Sequence, residues 1–312
     1  MDRGSFDRFP KSLSRSRFIK ALARPKAHLS GFSQASSMDG PDRIEGRANK
    51  GAMPWVLDLD GVVWLGDEPI AGSAKAIETL RARGERVLFL TNNSSQTVDA
   101  YVDKMARMGF DCPAEDLCTS AQAAALLVNP GETALVIGGK GIEEALLAGG
   151  SIPVREQVEG VDAVMVGWHR DFNYDRLTLA FRAIRNGARL IGTNDDPTYP
   201  SSEGELPGGG SIVAAVSYAT GVLPTFAGKP NWPAAQLVYE RLGWGAEPTA
   251  AQRATLWMVG DRPSTDGGMA RRLGGRFGLV LSGVTARADL PVDPEPYAVA
   301  EDLAELVKRF KS

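Results

Sequence analysis

"WVLDLDGVVW", residues 55–64, places two aspartates two positions apart at the end of an apolar run. Carboxylates are rarely buried without a partner, so the positions of Asp58 and Asp60 need a physical reason. Alternate side chains of a strand point to the same face, which puts both carboxylates on one side of the chain. Gly61 then allows a sharp turn away from the strand. The stretch therefore predicts an acidic pair at the carboxyl end of a strand.

Strand-like and helix-like runs alternate along the chain from residue 54 onward. Predicted strands cover 54–60, 86–93, 133–139, 163–168, 188–194, 255–262 and 276–283, and predicted helices cover 71–84, 97–110, 120–128, 174–187 and 210–221. This alternation predicts an α/β fold with a doubly wound parallel sheet. In such sheets, ligands bind in the crevice outside the carboxyl ends of the strands.

The composition narrows the class of protein. The chain is 43% hydrophobic and 23% charged, which is typical of a globular protein, and its length suits about two domains. No stretch approaches the roughly 18 consecutive apolar residues that a membrane span needs. Cys112 and Cys118 show neither a disulfide framework nor a zinc-type spacing. We predict a cytoplasmic protein with no membrane or nucleic-acid partner.

Residues 1–50 differ from the rest of the chain. They hold 11 Lys and Arg against 5 Asp and Glu, are rich in Ser, and show no apolar period. This favours a disordered basic tail, or a gene start placed too early, since Met53 precedes the first predicted strand. An organellar import peptide is the alternative, against which Asp2 and Asp7 count.

Polar side chains follow other predicted strands. "FLTNNSS" (89–95) ends in hydroxyls and amides, which suit phosphate oxygens or, equally, the N-cap of a following helix. "AGKP" (227–230) contributes Lys229, and "WMVGDRPSTDGGMA" (257–270) contributes Asp261 and Asp266. Carboxylates gathered at one sheet edge repel unless a cation or a shared proton intervenes. Mg²⁺ with a phosphate ligand is the natural partner.

These motifs together resemble the haloacid-dehalogenase-like (HAD) hydrolase superfamily, in particular its type IIA capped phosphatases. The matching pieces are "DLDGVVWLGDEPIAG", "LFLTNNSS", "TNDDPTYP", "LPGGGSIVAA", "AGKP" and "VGDRPSTD", in family order over residues 54–283. The resemblance implies a Rossmann-like core built from 51–132 and 223–312. It also implies an inserted α/β cap domain of the C2 type at 133–222. Val62 departs from the Thr of many members without changing the expected chemistry.

The resemblance implies catalytic roles at the acidic pair. Asp58 would be the nucleophile that forms an aspartyl-phosphate intermediate. Asp60 would protonate the leaving alcohol and then activate water. Mg²⁺ would be held by the side chains of Asp58 and Asp261 and by the main-chain carbonyl of Asp60. Asp266 would orient a lysine or a water bound to the metal.

The resemblance also implies the residues that bind substrate. Lys229 would offset charge on the phosphoryl group. The other expected substrate ligands are Thr91, Asn92 and Asn93 on the core, and Asn194, Asp196 and the 208–210 glycine turn on the cap. The glycines are equally compatible with a tight turn before a helix. His169 is predicted to be structural rather than a ligand.

The expected function is a Mg²⁺-dependent phosphomonoesterase acting on a small phosphorylated metabolite. Glycerol 3-phosphate and 2-phosphoglycolate are the first expectations, with 4-nitrophenyl phosphate as an artificial substrate. Phosphotransfer to an alcohol and non-catalytic metabolite binding stay open as alternatives. A dehalogenase is disfavoured because it needs neither Asp60 nor a metal at Asp261. A homodimer formed through the cap is the expected oligomer.

Overall fold

A computed structural model describes residues 53–201 and 204–310. The predictions for residues 1–50 therefore lie outside the described residues. The strands are β1 (Trp55–Leu57), β2 (Trp64–Leu65), β3 (Glu68–Pro69), β4 (Val87–Thr91), β5 (Leu117–Thr119), β6 (Thr133–Ile137), β7 (Ile152–Val154), β8 (Ala163–Val166), β9 (Arg189–Gly192), β10 (Thr198–Ser201), β11 (Gly204–Pro207), β12 (Thr225–Phe226), β13 (Trp257–Gly260), β14 (Arg276–Val280) and β15 (Ala298–Ala300). The helices are α1 (Ser73–Ala82), α2 (Val98–Arg107), α3 (Ser120–Ala125), α4 (Lys140–Ala148), α5 (Tyr174–Arg185), α6 (Gly209–Thr220), α7 (Trp232–Arg241), α8 (Ala250–Thr255), α9 (Gly268–Leu273) and α10 (Leu303–Arg309).

The first sheet has six parallel strands in the order β15-β14-β13-β1-β4-β5. The strand that precedes the aspartate pair is central, with Leu57 opposite Val259 on one side and Phe89 on the other. All three residues of β1 are buried, as expected for a parallel strand covered on both faces. The predicted α/β fold with a doubly wound parallel sheet is confirmed.

Alternate residues of the central strands enter two different apolar layers. Val56 and Met258 belong to one layer, whereas Trp55 and Trp257 belong to the layer on the opposite face. The two tryptophans lie opposite each other in register and stack with 5.0 Å between ring centroids. This packing fixes the central strands, and with them the residues that follow their carboxyl ends.

A second sheet lies between β5 and β13 in the chain, with parallel strands in the order β12-β9-β8-β6-β7. Ala134 and Met165 on this sheet enter the same apolar layer as Val56 of the first sheet. Strand β12 pairs with β9, so the second sheet continues past residue 222, where the sequence-based boundary falls. The β10–β11 hairpin also belongs to this segment.

Side-chain caps mark where several helices begin. Thr97 accepts a hydrogen bond from the Ala100 amide at the start of α2, and Asn173 accepts one from Arg176 at the start of α5. At α3, Thr119 and Gln122 form a capping box. These caps satisfy amides that the first turn leaves without partners. Among the described residues, no helix is long and apolar enough to cross a membrane.

Candidate active site

Lys229 is the centre of a buried ion-pair network. Its Nζ lies 2.6 Å from Oδ1 of Asp58 and 2.8 Å from Oδ1 of Asp266. Lys229 is 2% exposed. Burial opposes its charge, but Asp266 and Asp58 together raise its pKa above its ordinary value. The lysine therefore stays charged and holds one oxygen of Asp58 in a fixed place.

Asp266 lies beneath the network and is fully buried. Its Oδ1 accepts a hydrogen bond from Lys229, and its Oδ2 accepts the backbone N–H of Arg262 at 3.0 Å. Both oxygens are thus engaged by the protein. Close packing enforces this position, because a Cβ placed on Gly260 would overlap the Asp266 carboxylate. Of the two partners that the sequence suggested for Asp266, a lysine or a water bound to the metal, the lysine is the one in contact with it here.

Asp261 follows β13 directly and is 2% exposed. Its Oδ2 accepts the backbone N–H of Val284 at 2.6 Å. Its buried Oδ1 has no hydrogen-bond partner among the described residues. Burial, followed by the charge of Asp266, raises the pKa of Asp261 to about 6. A buried oxygen without a hydrogen-bond partner destabilises the fold unless a bound ligand or cation compensates it.

Backbone from two loops packs closely against the Asp261 carboxylate. Gly61 has φ +88°, and a Cβ there would lie 2.5 Å from Oδ2 of Asp261. A Cβ on Gly283 would also overlap this carboxylate. The two glycines thus allow the backbone of two loops to approach the carboxylate. Gly61 also adopts a left-handed conformation that other residues rarely adopt.

Three carboxylates form a candidate cation site. One oxygen from each of Asp58, Asp261 and Asp266 lies within 4.8 Å of the other two. Burial raises the pKa of Asp58 well above its ordinary value, against the opposing charge of Lys229. The orphaned oxygen of Asp261 and this gathered negative charge fit a hard divalent cation that prefers oxygen ligands. Because both oxygens of Asp266 are engaged, Asp58 and Asp261 have the more available carboxylates.

Asp60 is not one of the three clustered carboxylates and pairs instead with Trp64. Its Oδ1 accepts the indole N–H of Trp64 at 2.9 Å. Burial raises the pKa of Asp60, and the hydrogen bond from Trp64 opposes that effect. Asp58 and Asp60 both line the same pocket. Burial raises the pKa of both aspartates, but their partners differ: Asp58 pairs with the Lys229 ammonium, whereas Asp60 accepts a hydrogen bond from the neutral indole of Trp64.

The carboxyl end of β4 supplies Thr91, Asn92 and Asn93, which all line the pocket. Thr91 accepts the backbone N–H of Asn93 at 3.1 Å, and its side chain also lies within hydrogen-bond range of the Tyr101 hydroxyl. Oδ1 of Asn93 accepts hydrogen bonds from the backbone and side chain of Ser95. The Asn92 side chain is used by the protein: Oδ1 accepts Lys229 N–H at 2.7 Å, and Nδ2 donates to Asp196 and to the Lys229 carbonyl.

The second sheet brings Asn194 and Asp196 to the same pocket. Asn194 Nδ2 donates to the Asn92 carbonyl at 2.6 Å, and Asp196 Oδ2 accepts from Asn92 Nδ2 at 2.9 Å. Gly208 and Gly209 also line the pocket at the start of α6. A Cβ on Gly208 would overlap the Asp196 carbonyl, so the glycine permits a close approach of two loops. The structure thus brings every residue of the sequence-predicted site into one region.

The pocket between these elements has a cavity of about 100 Å³ and opens to solvent. Trp168, Tyr199 and Arg262 line it as well. Sequence reasoning assigned them no role, although Trp168 and Arg262 lie within motifs that drew attention for a neighbouring residue.

His169 is buried, and its Nδ1 lies 3.2 Å from the Gly167 carbonyl. Burial lowers its pKa. His169 is absent from the residues that line the pocket, which agrees with the structural interpretation.

Comparison with known proteins identifies the family. A family model described as haloacid dehalogenase-like hydrolase matches residues 55–151, and one described as HAD-hydrolase-like matches residues 226–306. An acid sugar phosphatase from Staphylococcus saprophyticus is 34% identical over 261 residues, which cover 82% of this chain and 97% of that protein. The chain belongs to the haloacid dehalogenase-like hydrolase family. The resemblance seen in the motifs is confirmed.

Solved structures of HAD-like phosphatases share the fold. A glycerol phosphate phosphatase from Mycobacterium tuberculosis, in complex with magnesium, has a TM-score of 0.74 and 35% identity, covering 82% of this chain and 76% of that one. A 4-nitrophenylphosphatase from Thermotoga maritima has a TM-score of 0.74 and 33% identity, covering 82% and 97%. The Rossmann-like HAD core with an inserted α/β unit is therefore the architecture of this chain.

Proposed function

We propose that this HAD-like hydrolase is a Mg²⁺-dependent phosphatase that hydrolyses a small phosphorylated metabolite. The observation that carries the proposal is the buried cluster of Asp58, Asp261 and Asp266 with Lys229 at its centre and one orphaned carboxylate oxygen. Phosphatase relatives on the same fold support it. Glycerol 3-phosphate, 2-phosphoglycolate and sugar phosphates are candidate substrates, and 4-nitrophenyl phosphate is a convenient artificial one.

Asp58 is the proposed nucleophile. Its carboxylate would attack phosphorus, forming an O–P bond to the protein while the bond from phosphorus to the leaving oxygen breaks. Lys229 fixes one oxygen of this carboxylate at 2.6 Å, and the other oxygen remains for attack. Both charges are buried, so the lysine acts with little screening by water.

Asp60 is the proposed acid and base. Burial favours its protonated form, which suits donation of a proton to the leaving oxygen. In the second step, the ionised form would take a proton from water as that water attacks phosphorus. The bond from phosphorus to Asp58 then breaks, which releases phosphate and restores the nucleophile. The hydrogen bond from Trp64 would orient Asp60 in both steps.

Phosphate oxygens would be bound by groups at the ends of β4 and β12. Thr91 can donate its hydroxyl hydrogen, and the Lys229 ammonium can offset negative charge in the transition state. For Asn92 we propose a positioning role, because its side chain already holds the Lys229 backbone and Asp196. Asn93 would act beside Thr91, and Asn194 and Asp196 would face the leaving group.

Asp58, Asp261 and the main-chain carbonyl of Asp60 are the proposed ligands of Mg²⁺, with Asp266 holding the lysine. When bound, the cation supplies positive charge that offsets repulsion between the nucleophile and the phosphate. The orphaned oxygen of Asp261 and the position of Asp58 in the same carboxylate cluster support this assignment.

The second sheet would act as a cap that shields the site and selects the leaving group. We propose 133–226 rather than 133–222 for the inserted domain, an extension supported by the pairing of β12 with β9 of the second sheet. A homodimer formed through the cap and a cytoplasmic location are further parts of the proposal.

Phosphate release from a panel of small phosphomonoesters tests the function. Wild type and Asp58→Asn are compared with Mg²⁺ and with a chelator, and Asp111→Asn, whose side chain is 88% exposed, is the matched control. We expect Mg²⁺-dependent release by wild type and by the control, and none by Asp58→Asn. Absence of release from every ester by folded wild-type protein would contradict the proposal.

A further inference from the structure

Arg262 follows Asp261 directly and lies at the pocket with a fixed backbone. Its N–H donates to Oδ2 of Asp266 at 3.0 Å, and the π-helical turn Pro263–Gly267 begins at the next residue. The same carboxylate therefore holds the Arg262 backbone and the Lys229 side chain. Arg262 is half-buried and lines the pocket, so its guanidinium group is presented from a rigid position.

The guanidinium group of Arg262 acts on nearby carboxylates through its charge rather than through a direct bond. It makes no hydrogen bond or ion pair with any described residue. Burial raises the pKa values of Asp60, Asp196 and Asp261, and the charge of Arg262 opposes this rise at all three. The positive charge of Arg262 therefore lies close to the pocket and has no direct hydrogen bond or ion pair among the described residues.

Lys229 and Arg262 are the two basic residues among the described residues that line the pocket. Lys229 is already bound to Asp58 and Asp266 beside the nucleophile. The wall opposite the first sheet includes Trp168, which follows β8, and Tyr199 of the β10–β11 hairpin. Their rings meet edge to face at 4.8 Å, and this wall contributes no cationic side chain among the described residues. Of the cationic side chains that line the pocket within the described residues, Arg262 is the one left for a negative group that enters away from the phosphoryl position.

We propose that Arg262 binds a second anionic group, a carboxylate or a second phosphate, carried by the leaving alcohol of the substrate. This inference rests on the proposed phosphatase function and narrows its substrate class to phosphomonoesters with a negatively charged leaving group. Arginine suits the role because its planar fork pairs with both oxygens of a carboxylate or phosphate. Its half-buried position strengthens such a pair relative to one at the surface.

Two three-carbon esters test the inference. 3-Phosphoglycerate and glycerol 3-phosphate share a carbon skeleton. The first carries a carboxylate at the position where the second carries a hydroxymethyl group. The measured quantity is the ratio of kcat/KM for the first ester to that for the second. We compare wild type, Arg262→Gln and Arg262→Lys, with Arg271→Gln as the control because Arg271 is 63% exposed and pairs with Asp293.

We expect the ratio to fall about 10- to 100-fold in Arg262→Gln, since a charged hydrogen-bonded pair is lost for one ester only. The fall comes mainly from a higher KM for 3-phosphoglycerate. Arg262→Lys keeps the charge and retains part of the ratio, and Arg271→Gln leaves it unchanged.

An unchanged ratio in folded Arg262→Gln, with both rates reduced together, would overturn the inference and assign the residue to the phosphoryl group or to the fold. In that case hydrolysis by wild type still supports the phosphatase. If wild type hydrolyses neither ester nor 4-nitrophenyl phosphate, the proposed function fails and this inference fails with it.

Discussion

Replacing Asp261 with Asn is expected to stabilise the protein in the absence of divalent cations while it abolishes most of its activity. Asn has nearly the same shape, and its carbonyl oxygen can still accept the Val284 N–H. What it removes is a buried negative charge beside Asp58 and Asp266. The cost of that charge at neutral pH sets the size of the effect.

The magnitude follows from the pKa of Asp261. Burial and Asp266 raise that pKa to about 6, compared with about 3.9 in an unfolded chain. Because one pKa unit corresponds to about 1.4 kcal/mol, ionised Asp261 destabilises the fold by about 3 kcal/mol above pH 6. Between these two pKa values the folded chain binds more protons than the unfolded chain, so the penalty grows as pH rises. Below about pH 4 both states are protonated, and the penalty disappears.

Thermal unfolding in a chelator checks this reasoning. At pH 7.5, Asp261→Asn should melt about 6–12 °C above wild type, and the difference should shrink toward zero as pH approaches about 4. Added Mg²⁺ should raise the melting temperature of wild type more than that of the variant. Asp111→Asn, at an exposed position, should follow wild type throughout. An Asp261→Asn protein that melts below wild type at pH 7.5 in chelator would refute the argument.

Three further predictions follow from the site and its surroundings. Asp60→Asn should release a rapid burst of about one equivalent of nitrophenol from 4-nitrophenyl phosphate and then stall, because this leaving group needs no acid but the second step needs the base; steady turnover without a burst in stopped-flow absorbance would contradict that role. Gly61→Ala should lose Mg²⁺-dependent activity because its Cβ meets Asp261, whereas Gly109→Ala, also at positive φ but in open space, should lose only about 1–2 kcal/mol of stability in urea unfolding. Burial lowers the pKa of His169, so the folded protein disfavours the protonated imidazole and its free energy of unfolding falls as pH drops below about 6.5. Wild type should therefore lose more stability than His169→Gln between pH 7.5 and 5. Equal losses would contradict the structural interpretation of His169.

The central part of the fold was predictable because local pattern and tertiary environment agree there. Strand β1 is a continuous apolar run in the sequence and is buried on both faces in the sheet. Helices such as Tyr174–Arg185 begin at a side-chain cap that the sequence displays. Other elements were missed, among them the helices Lys140–Ala148 and Trp232–Arg241 and the short strands β7, β12 and β15. Strands this short are defined by the neighbour with which they pair, and that neighbour is distant in the chain.

The candidate site was predictable as a set of strand ends but not as a set of partners. Asp58 and Asp261 each follow an apolar run, and parallel sheets gather such positions at one edge. The sequence does not show that Oδ1 of Asp261 is orphaned or that Arg262 lacks a partner. Those properties depend on which donors the fold happens to bring within about 3 Å, and donors from different loops meet only after folding.

Asn92 shows how the two sheets depend on each other at the site. It follows β4 of the first sheet, yet its carbonyl accepts the Asn194 side chain and its amide donates to Asp196, both at the end of β9. Its Oδ1 also holds the backbone of Lys229, the residue that fixes the nucleophile. A shift of the second sheet would therefore strain or break bonds to Asn92 and, through Lys229, disturb Asp58. This chain of contacts gives a physical route by which a leaving group bound against the second sheet can influence the geometry of the nucleophile. It also explains why a neutral amide suits position 92: an aspartate could not donate to Asp196, and an apolar residue would leave the Lys229 N–H and the Asp196 carboxylate without this partner.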